Sequence, residues 1–290
     1  MKIFFIVNPI AGNGNALKNW ELQKKIIFDK IGEHSYELTK YKGHATDIAK
    51  KVSKEDYDLI VSCGGDGTLN EVVNGVVDSN KNISALPLGT GSDFVKTIGI
   101  RSVEDFISAM KSQKIIASDV IGVTFFSNEI RYFVNILSIG FSAEVMEYVN
   151  RNKKFGKYSF MIGVFATLSR MDKFNLKIKI DQNYFEFSTI EAIFANGKYF
   201  GGGMLASPES KIDDNILDIH ILKPFSKIKS ATNLKSLING TYIRKGYAHN
   251  FKAKSIEIIS SGHLIEMEGE VVGKTPIKMS MNKKIGIMVP

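Results

Sequence analysis

A single cysteine, Cys63, in a chain of 290 residues leaves nothing to form an intrachain disulfide and too few thiolates for a cysteine zinc site, as in proteins of a reducing compartment. The five histidines show no metal-ligand spacing and no HExxH, and no Gly-x-Ser-x-Gly elbow supports a hydrolase. Long hydrophobic runs are missing as well. Ile3–Val7 is stopped by Asn8-Pro9 before it reaches signal-peptide length, and Met161–Leu168 is less than half of a membrane-spanning helix. The expectation is a soluble cytoplasmic protein that touches a membrane only from the side, at its inner face.

Hydrophobic residues at 44% and charged residues at 23% exclude a disordered or fibrous chain. Thirty-eight Lys and Arg against 30 Asp and Glu leave a net charge of +8, which favours anionic partners without choosing among them. No stripe of arginines and aromatics appears, so nucleic acid is not expected as a partner.

The chain changes character near residue 120. Before it, apolar runs alternate with helical patterns: strands at Ile3–Val7, Ser35–Thr39, Leu59–Ser62 and Ile83–Leu86, and helices at Leu17–Ile31, Ala45–Val52 and Thr68–Val77. Such alternation predicts a mainly parallel sheet covered by helices. After it come β-type segments at Ile130–Ser138, Phe174–Ile180, Tyr184–Ala195, Ile216–Leu222, Phe251–Ile259, Leu264–Met267 and Ile277–Met281. Helices are expected there at Ala143–Val149, Gly156–Arg170 and beyond Ser226. The fold class is therefore α/β plus β: an α/β nucleotide-binding domain over 1–120 and an antiparallel β-sandwich-like domain over 121–290, with the active site in the cleft between them.

Chemistry is written most clearly in Gly64-Gly65-Asp66-Gly67-Thr68, between a strand and a helix. Glycines let main-chain amides approach a ligand, and the following helix N-terminus is a natural phosphate site. Asp66 would repel phosphate and makes sense with an intervening metal ion; the plainer reading is a helix cap. Two further glycine turns, Asn8–Gly14 and Pro87–Phe94, follow other strands of the same domain. Open α/β sheets bind ligands at such strand ends. None of the three is a Walker A or a GxGxxG sequence, so a nucleotide site of another kind is expected.

Asn-Pro-x-x-Gly, Gly-Gly-Asp-Gly-Thr-Leu-Asn-Glu-Val and Pro-Leu-Gly-Thr-Gly-x-Asp-Phe, in this order, closely resemble the diacylglycerol kinase catalytic-domain family, and the bacterial soluble lipid kinases in particular. Sphingosine and ceramide kinases are relatives. The resemblance continues through Thr39–Ala45, Gly201–Gly203, Pro208–Asp218 and Glu268-Gly269-Glu270. It implies an ATP-dependent lipid kinase that makes a phosphorylated lipid, with diacylglycerol as the leading substrate and Mg²⁺ as cofactor. Nucleotide contacts would come from Asn8, Pro9, Ile10, Ala11, Gly12, Thr39, Gly64, Gly65, Asp66, Gly67, Thr68, Leu69, Asn70 and Thr90. Magnesium would sit on the Asp214 carboxylate and the carbonyls of Lys211 and Ile216, an oxygen set suited to a hard cation. Glu270 would be the general base, and Asp66, Asp93 and Asp119 match acidic positions near phosphate and metal.

The chain departs from the family pattern at Ser92, Asn215 and Glu268, and none of the three removes a catalytic group; Asn215 tolerates the left-handed turn a glycine would make. Outside the motifs, Arg151–Tyr158 is a basic run ahead of an apolar helical stretch, which reads equally as a contact with acidic lipid and as an ordinary amphipathic helix with solvated lysines. Tyr242–Tyr247 reads as a surface loop, Glu268-Gly269-Glu270 taken alone as a solvated hairpin turn, and Cys63 as a packing residue. The rival functions are an NAD kinase-like phosphotransferase, which shares the Gly-Gly-Asp-Gly-Thr loop, and a non-catalytic nucleotide or lipid sensor on the same fold.

Overall fold

The computed structural model describes residues 1–89, 92–152, 159–168, 171–224, 235–236 and 238–290. The chain forms two units, Met1–Val120 with Lys283–Pro290, and Ile121–Asn282.

In the first unit, β1 (Ile3–Val7) and β3 (Leu59–Gly64) are buried at every position, as parallel strands covered on both faces must be. With β2 (Ser35–Leu38) and β4 (Asn82–Pro87) they form a parallel sheet in the order β2-β1-β3-β4. Helices α1 (Ala16–Ile31), α2 (His44–Val52) and α3 (Asp66–Val76) connect these strands. They bury Trp20 and Ile27, Ile48 and Val52, and Val72, Val73 and Val76. Each fully buried aliphatic side chain contributes about 1.5–3 kcal/mol. Beyond β4 come α4 (Asp93–Thr97), α5 (Val103–Ser112) and strand β5 (Lys114–Phe125), where the sequence pattern gave no element. The signal for α5 was present: Ser102 Oγ accepts the Asp105 amide at 3.2 Å, a Ser-x-x-Asp N-cap.

The second unit contains β6 (Ile130–Phe133), β7 (Ile136–Gly140), α6 (Phe141–Arg151), α7 (Ser159–Thr167), β8 (Phe174–Ile180), β9 (Asn183–Thr189) and β10 (Glu191–Ala195). These are followed by β11 (Tyr199–Phe200), β12 (Met204–Leu205), β13 (Leu217–Leu222), β14 (Ala248–Ala253), β15 (Ser255–Ile258), β16 (Leu264–Met267), β17 (Glu270–Lys274) and β18 (Ile277–Val289). One antiparallel sheet has the order β14-β13-β10-β7-β16-β17. In the other, β15 lies between β18 and β8, and β9 pairs with β8. Leu137, Ile139, Phe194, Ile219 and Ile265 of the first sheet share a core with Leu176, Ile178, Ile256 and Ile258 of the second, an antiparallel β-sandwich. The opposite face of the first sheet is covered too: Ile193, Ala195 and Leu222 pack with Met171 and Tyr242.

Three of the expected strands are each two. Ile130–Ser138 divides into β6 and β7, Tyr184–Ala195 into β9 and β10, and Phe251–Ile259 into the ends of β14 and β15. In every case the two halves belong to different sheets, so the chain turns a corner of the sandwich at 134–135, at Ile190 and at Lys254. Alternation of apolar residues runs through such corners, so the pattern does not mark them. β18 is longer than the expected Ile277–Met281. Its end belongs to the first unit, where Ile287 pairs in parallel with Ile83 and Ser84 Oγ donates to the Met288 carbonyl at 3.3 Å. The helix expected beyond Ser226 falls mostly outside the described residues; of that at Gly156–Arg170, Ser159–Thr167 forms α7, and 156–158 and 169–170 lie outside the described residues.

Candidate active site

Strands β1, β3 and β4 each run into one of the glycine turns, and the main chain ties the turns together. Asn8 N donates to the Cys63 carbonyl at 2.9 Å, and Leu88 N and Gly89 N both donate to Gly64 O at 3.0 Å. Thr39 joins from the end of β2, its amide on Val7 O at 2.8 Å. Asn8 Nδ2 donates to Thr68 Oγ1 at 3.0 Å, while its Oδ1 accepts the Ile10 amide at 3.2 Å. Pro9, Ile10 and Ala11 carry the turn to Gly12, with Ile10 78% exposed. Gly67, Thr68, Leu69 and Asn70 open α3; Leu69 is buried, so it reaches a ligand only through its main chain. Thr90 lies outside the described residues.

Two glycines are required by this crowding. A Cβ on Gly12, at φ +59°, would meet the Leu88 carbonyl oxygen at 2.6 Å. One on Gly89 would meet Gly65 Cα at 2.5 Å. The three loops therefore touch backbone to backbone beside the N-terminus of α3, a helix end of the kind that favours phosphate.

The acidic residues of the central motif serve this assembly. Asp66 is half-buried, and its carboxylate accepts the amides of Asp93 at 2.8 Å and Phe94 at 3.0 Å, capping α4. Burial pushes its carboxyl above the usual range, against the pull of those amides. Glu71, to which sequence reasoning gave no role, accepts the amides of Gly43 at 2.9 Å and Ala45 at 3.1 Å and so caps α2. Asp93 is buried and paired with Lys96 at 2.7 Å; Asp119 of β5 is fully buried and paired with Lys284 of β18. Ser92 Oγ is buried with no partner among the described residues. Cys63 is buried, and burial pushes its thiol well up, as befits a packing residue.

The other predicted groups belong to the second unit. Lys211, Asp214 and Ile216 lie on the turn before β13, where Asp214 Oδ1 accepts the Ile216 amide at 3.1 Å. Asn215 takes φ 58°, the left-handed conformation expected of it. Among the described residues no three His, Cys, Asp or Glu side chains gather as a metal centre. The turn carries the carboxylates of Asp213 and Asp214 beside the carbonyls of Lys211 and Ile216, and oxygen donors of this kind fit a hard cation.

Glu270 opens β17 opposite Met267, half-buried, after a two-residue turn with positive φ at Glu268 (55°) and Gly269 (85°). The turn is solvated at Gly269 and not at Glu268. Glu268 is buried, and its Oε1 accepts the amides of Val134 at 2.9 Å and Asn135 at 2.8 Å. Its neighbour Glu266 is buried too and accepts the Gly269 amide at 2.5 Å. Sequence reasoning missed Glu266, since a lone glutamate in a short strand carries no pattern.

Tyr242 corrects the surface reading of its segment: it is 1% exposed and donates to the Ala206 carbonyl at 2.7 Å, while Arg244 and Lys245 remain exposed. Burying one aromatic edge of a short polar loop is a tertiary event with no local signature. Of the basic run, Arg151 pairs with Glu147 at 3.0 Å and 153–158 lie outside the described residues. No helix of the described residues is long and apolar enough to cross a membrane.

Residues 2–123 match the family described as diacylglycerol kinase catalytic domain, and 135–286 match the YegS C-terminal NAD kinase beta sandwich-like domain. The chain is 31% identical to the Bacillus subtilis (strain 168) protein named "Putative lipid kinase YtlR", over 96% of both chains. It is 28% identical to a Staphylococcus haemolyticus diacylglycerol kinase, over 98% of this chain and 87% of that one. Among solved structures, a Bacillus anthracis (Sterne) protein described as a "putative diacylglycerol kinase" superposes with a TM-score of 0.79 at 25% identity, covering 100% of this chain and 95% of the other.

Proposed function

The chain belongs to the diacylglycerol kinase catalytic-domain family, and from that premise we propose that it transfers the γ-phosphate of ATP to a lipid hydroxyl, with diacylglycerol as acceptor and phosphatidate as product. The observation that carries the reading is the backbone contact of the three glycine loops around Gly12, Gly65 and Gly89. Packed this closely, they gather around a helix N-terminus, where phosphate is favoured.

Phosphoryl transfer needs alignment, charge neutralisation and one group to take the acceptor's proton. The loops of Asn8–Gly12 and Gly64–Asn70, with Thr39 and Thr90, hold the triphosphate. Glu270 takes the proton of the lipid hydroxyl as the hydroxyl oxygen bonds to the γ-phosphorus and the bond to the β-phosphate oxygen breaks, releasing ADP. Lys211, Asp214 and Ile216 would hold Mg²⁺ through oxygen atoms, and the bound ion supplies neutralising charge. Asp66 acts through structure, holding the second loop against the third.

Peripheral contact with an acidic membrane surface is part of this proposal. The segment of α7, Ser-Phe-Met-Ile-Gly-Val-Phe-Ala-Thr, is uncharged and apolar between its terminal hydroxyl residues, its Phe165 is 60% exposed, and the basic run Arg151–Tyr158 precedes it.

The test is transfer of labelled γ-phosphate to a panel of micellar lipids, with wild type beside Glu270→Gln. Labelled phosphatidate from the wild type, lost in the variant while ATP still binds, supports the reaction, the substrate and the base together. Label on NAD instead of lipid overturns the acceptor class. ATP binding with no labelled lipid or NAD returns the chain to a sensor.

A further inference from the structure

Two buried glutamates of the second unit are joined by two serines. Ser138 of β7 stands directly opposite Glu266 of β16 and donates to its Oε2 at 2.6 Å. Ser138 Oγ and Ser142 Oγ, the latter in the first turn of α6, lie 2.5 Å apart. Ser142 Oγ in turn bonds Glu191 Oε1 of β10, and the Ser142 amide donates to Glu191 Oε2 at 2.9 Å. All four side chains are buried, at 0–5% exposure. At its far end the chain holds the Gly269 amide on Glu266 Oε1, one residue before Glu270.

Counting hydrogens decides the state of this chain. Three oxygen–oxygen links, Glu191 to Ser142, Ser142 to Ser138 and Ser138 to Glu266, each need one hydrogen. The two hydroxyls supply only two. With both glutamates ionised, one close contact would hold two lone pairs and no proton inside a buried site. With one carboxyl protonated, every link is filled in a single direction.

We propose that Glu191 and Glu266 share one proton along Ser142 and Ser138, and that this chain is the device positioning the turn from which Glu270 projects. The second half of the proposal rests on Glu270 being the base; the first half does not. The charged and titratable neighbours agree with it. Burial pushes Glu191 up to about 8, the Ser142 bonds pull against that, and the nearby carboxylates Glu266 and Glu144 push it further. Tyr242, the other titratable group beside Glu191, is itself held neutral by burial. Among the described residues no cation acts on Glu191. The protonated end of the chain is thus at Glu191, with the acceptor end at Glu266, where a charged carboxylate best holds the Gly269 amide.

Two readouts test this. In the full-length protein at pH 7, an infrared band of a protonated carboxylic acid should be present in wild type and in Glu270→Gln, and absent in Glu191→Gln. In kinetics, Glu191→Ala and Ser138→Ala should each lower kcat about tenfold with little change in KM for ATP. Glu191→Gln should restore kcat, because its amide nitrogen donates to Ser142 Oγ as the acid does, and the alkaline fall of the wild type near pH 8 should be gone. A wild type without the band, or one whose band survives Glu191→Gln, overturns the shared proton. A Ser138→Ala enzyme with wild-type kcat at every pH overturns the positioning role. Transfer that persists in Glu270→Gln removes the base assignment and leaves the band where it is, so the two failures are distinguishable.

Discussion

Both carboxylate oxygens of Asp66 lie 2.8 Å from the amide nitrogen of Asp93, which fixes the start of the central helix to the start of the helix after the third glycine turn. The acidic residue in a phosphate loop thus has an internal reason to be there. Replacing it with alanine leaves two buried amides unpaired, at about 2–4 kcal/mol from lost charged hydrogen bonds and a lost cap. Urea unfolding of Asp66→Ala should show a lower midpoint at unchanged slope, and Asp66→Asn about half the loss. An unchanged midpoint would mean that water replaces the carboxylate without cost.

Gly12→Ala should act on ligand binding more than on folding. Its new methyl would meet the Leu88 carbonyl at 2.6 Å in a conformation already unfavourable for alanine. The first and third loops must then part, and titration calorimetry should show ATP affinity reduced at least about tenfold, or about 1.4 kcal/mol. Wild-type affinity would place the nucleotide elsewhere.

Stability should fall on the alkaline side. The Glu191 carboxyl is raised from its ordinary value of 4.5 to about 8 in the folded protein, so the folded state holds a proton that the unfolded state has released. The stabilisation is complete below the unfolded value and is lost as pH rises through about 8. Melting temperatures measured across that window should decline for the wild type and stay flatter for Glu191→Gln. Parallel curves for the two proteins would contradict the buried acid.

Asp214→Asn separates the turn from the cation. Asparagine keeps the Oδ1 that accepts the Ile216 amide, so the melting temperature should hardly move. The charge is gone, and the Mg²⁺ concentration for half-maximal transfer should rise about tenfold or more. If the Mg²⁺ dependence is unchanged, the ion is bound by other groups.

Legibility in the sequence followed the range of the interactions. β1, β8 and β16 were read to the residue, because a continuous or alternating apolar run between polar breaks is a local signal. The corners at 134–135, Ile190 and Lys254 were invisible, since a strand that changes sheets keeps its alternation. The glycine turns were legible because glycine at those positions is demanded by backbone contact. Glu71 and Glu268 stood in the quoted motifs with no role attached; each binds amides 26–28 and 133–134 residues away, and no spacing rule reaches that far.

By itself the sequence determined the two-part plan, the parallel sheet with its three glycine turns, and the family, because each depends on residue types at short spacing. Tertiary structure alone decided that Asp66 and Glu71 cap neighbouring helices, that β18 ends beside β4 in the first unit, and that Glu191 and Glu266 meet through two serines. The reason is burial: a carboxylate taken from water must find amides, hydroxyls or a proton wherever the packed chain happens to offer them, and which ones those are is settled only when distant strands come together.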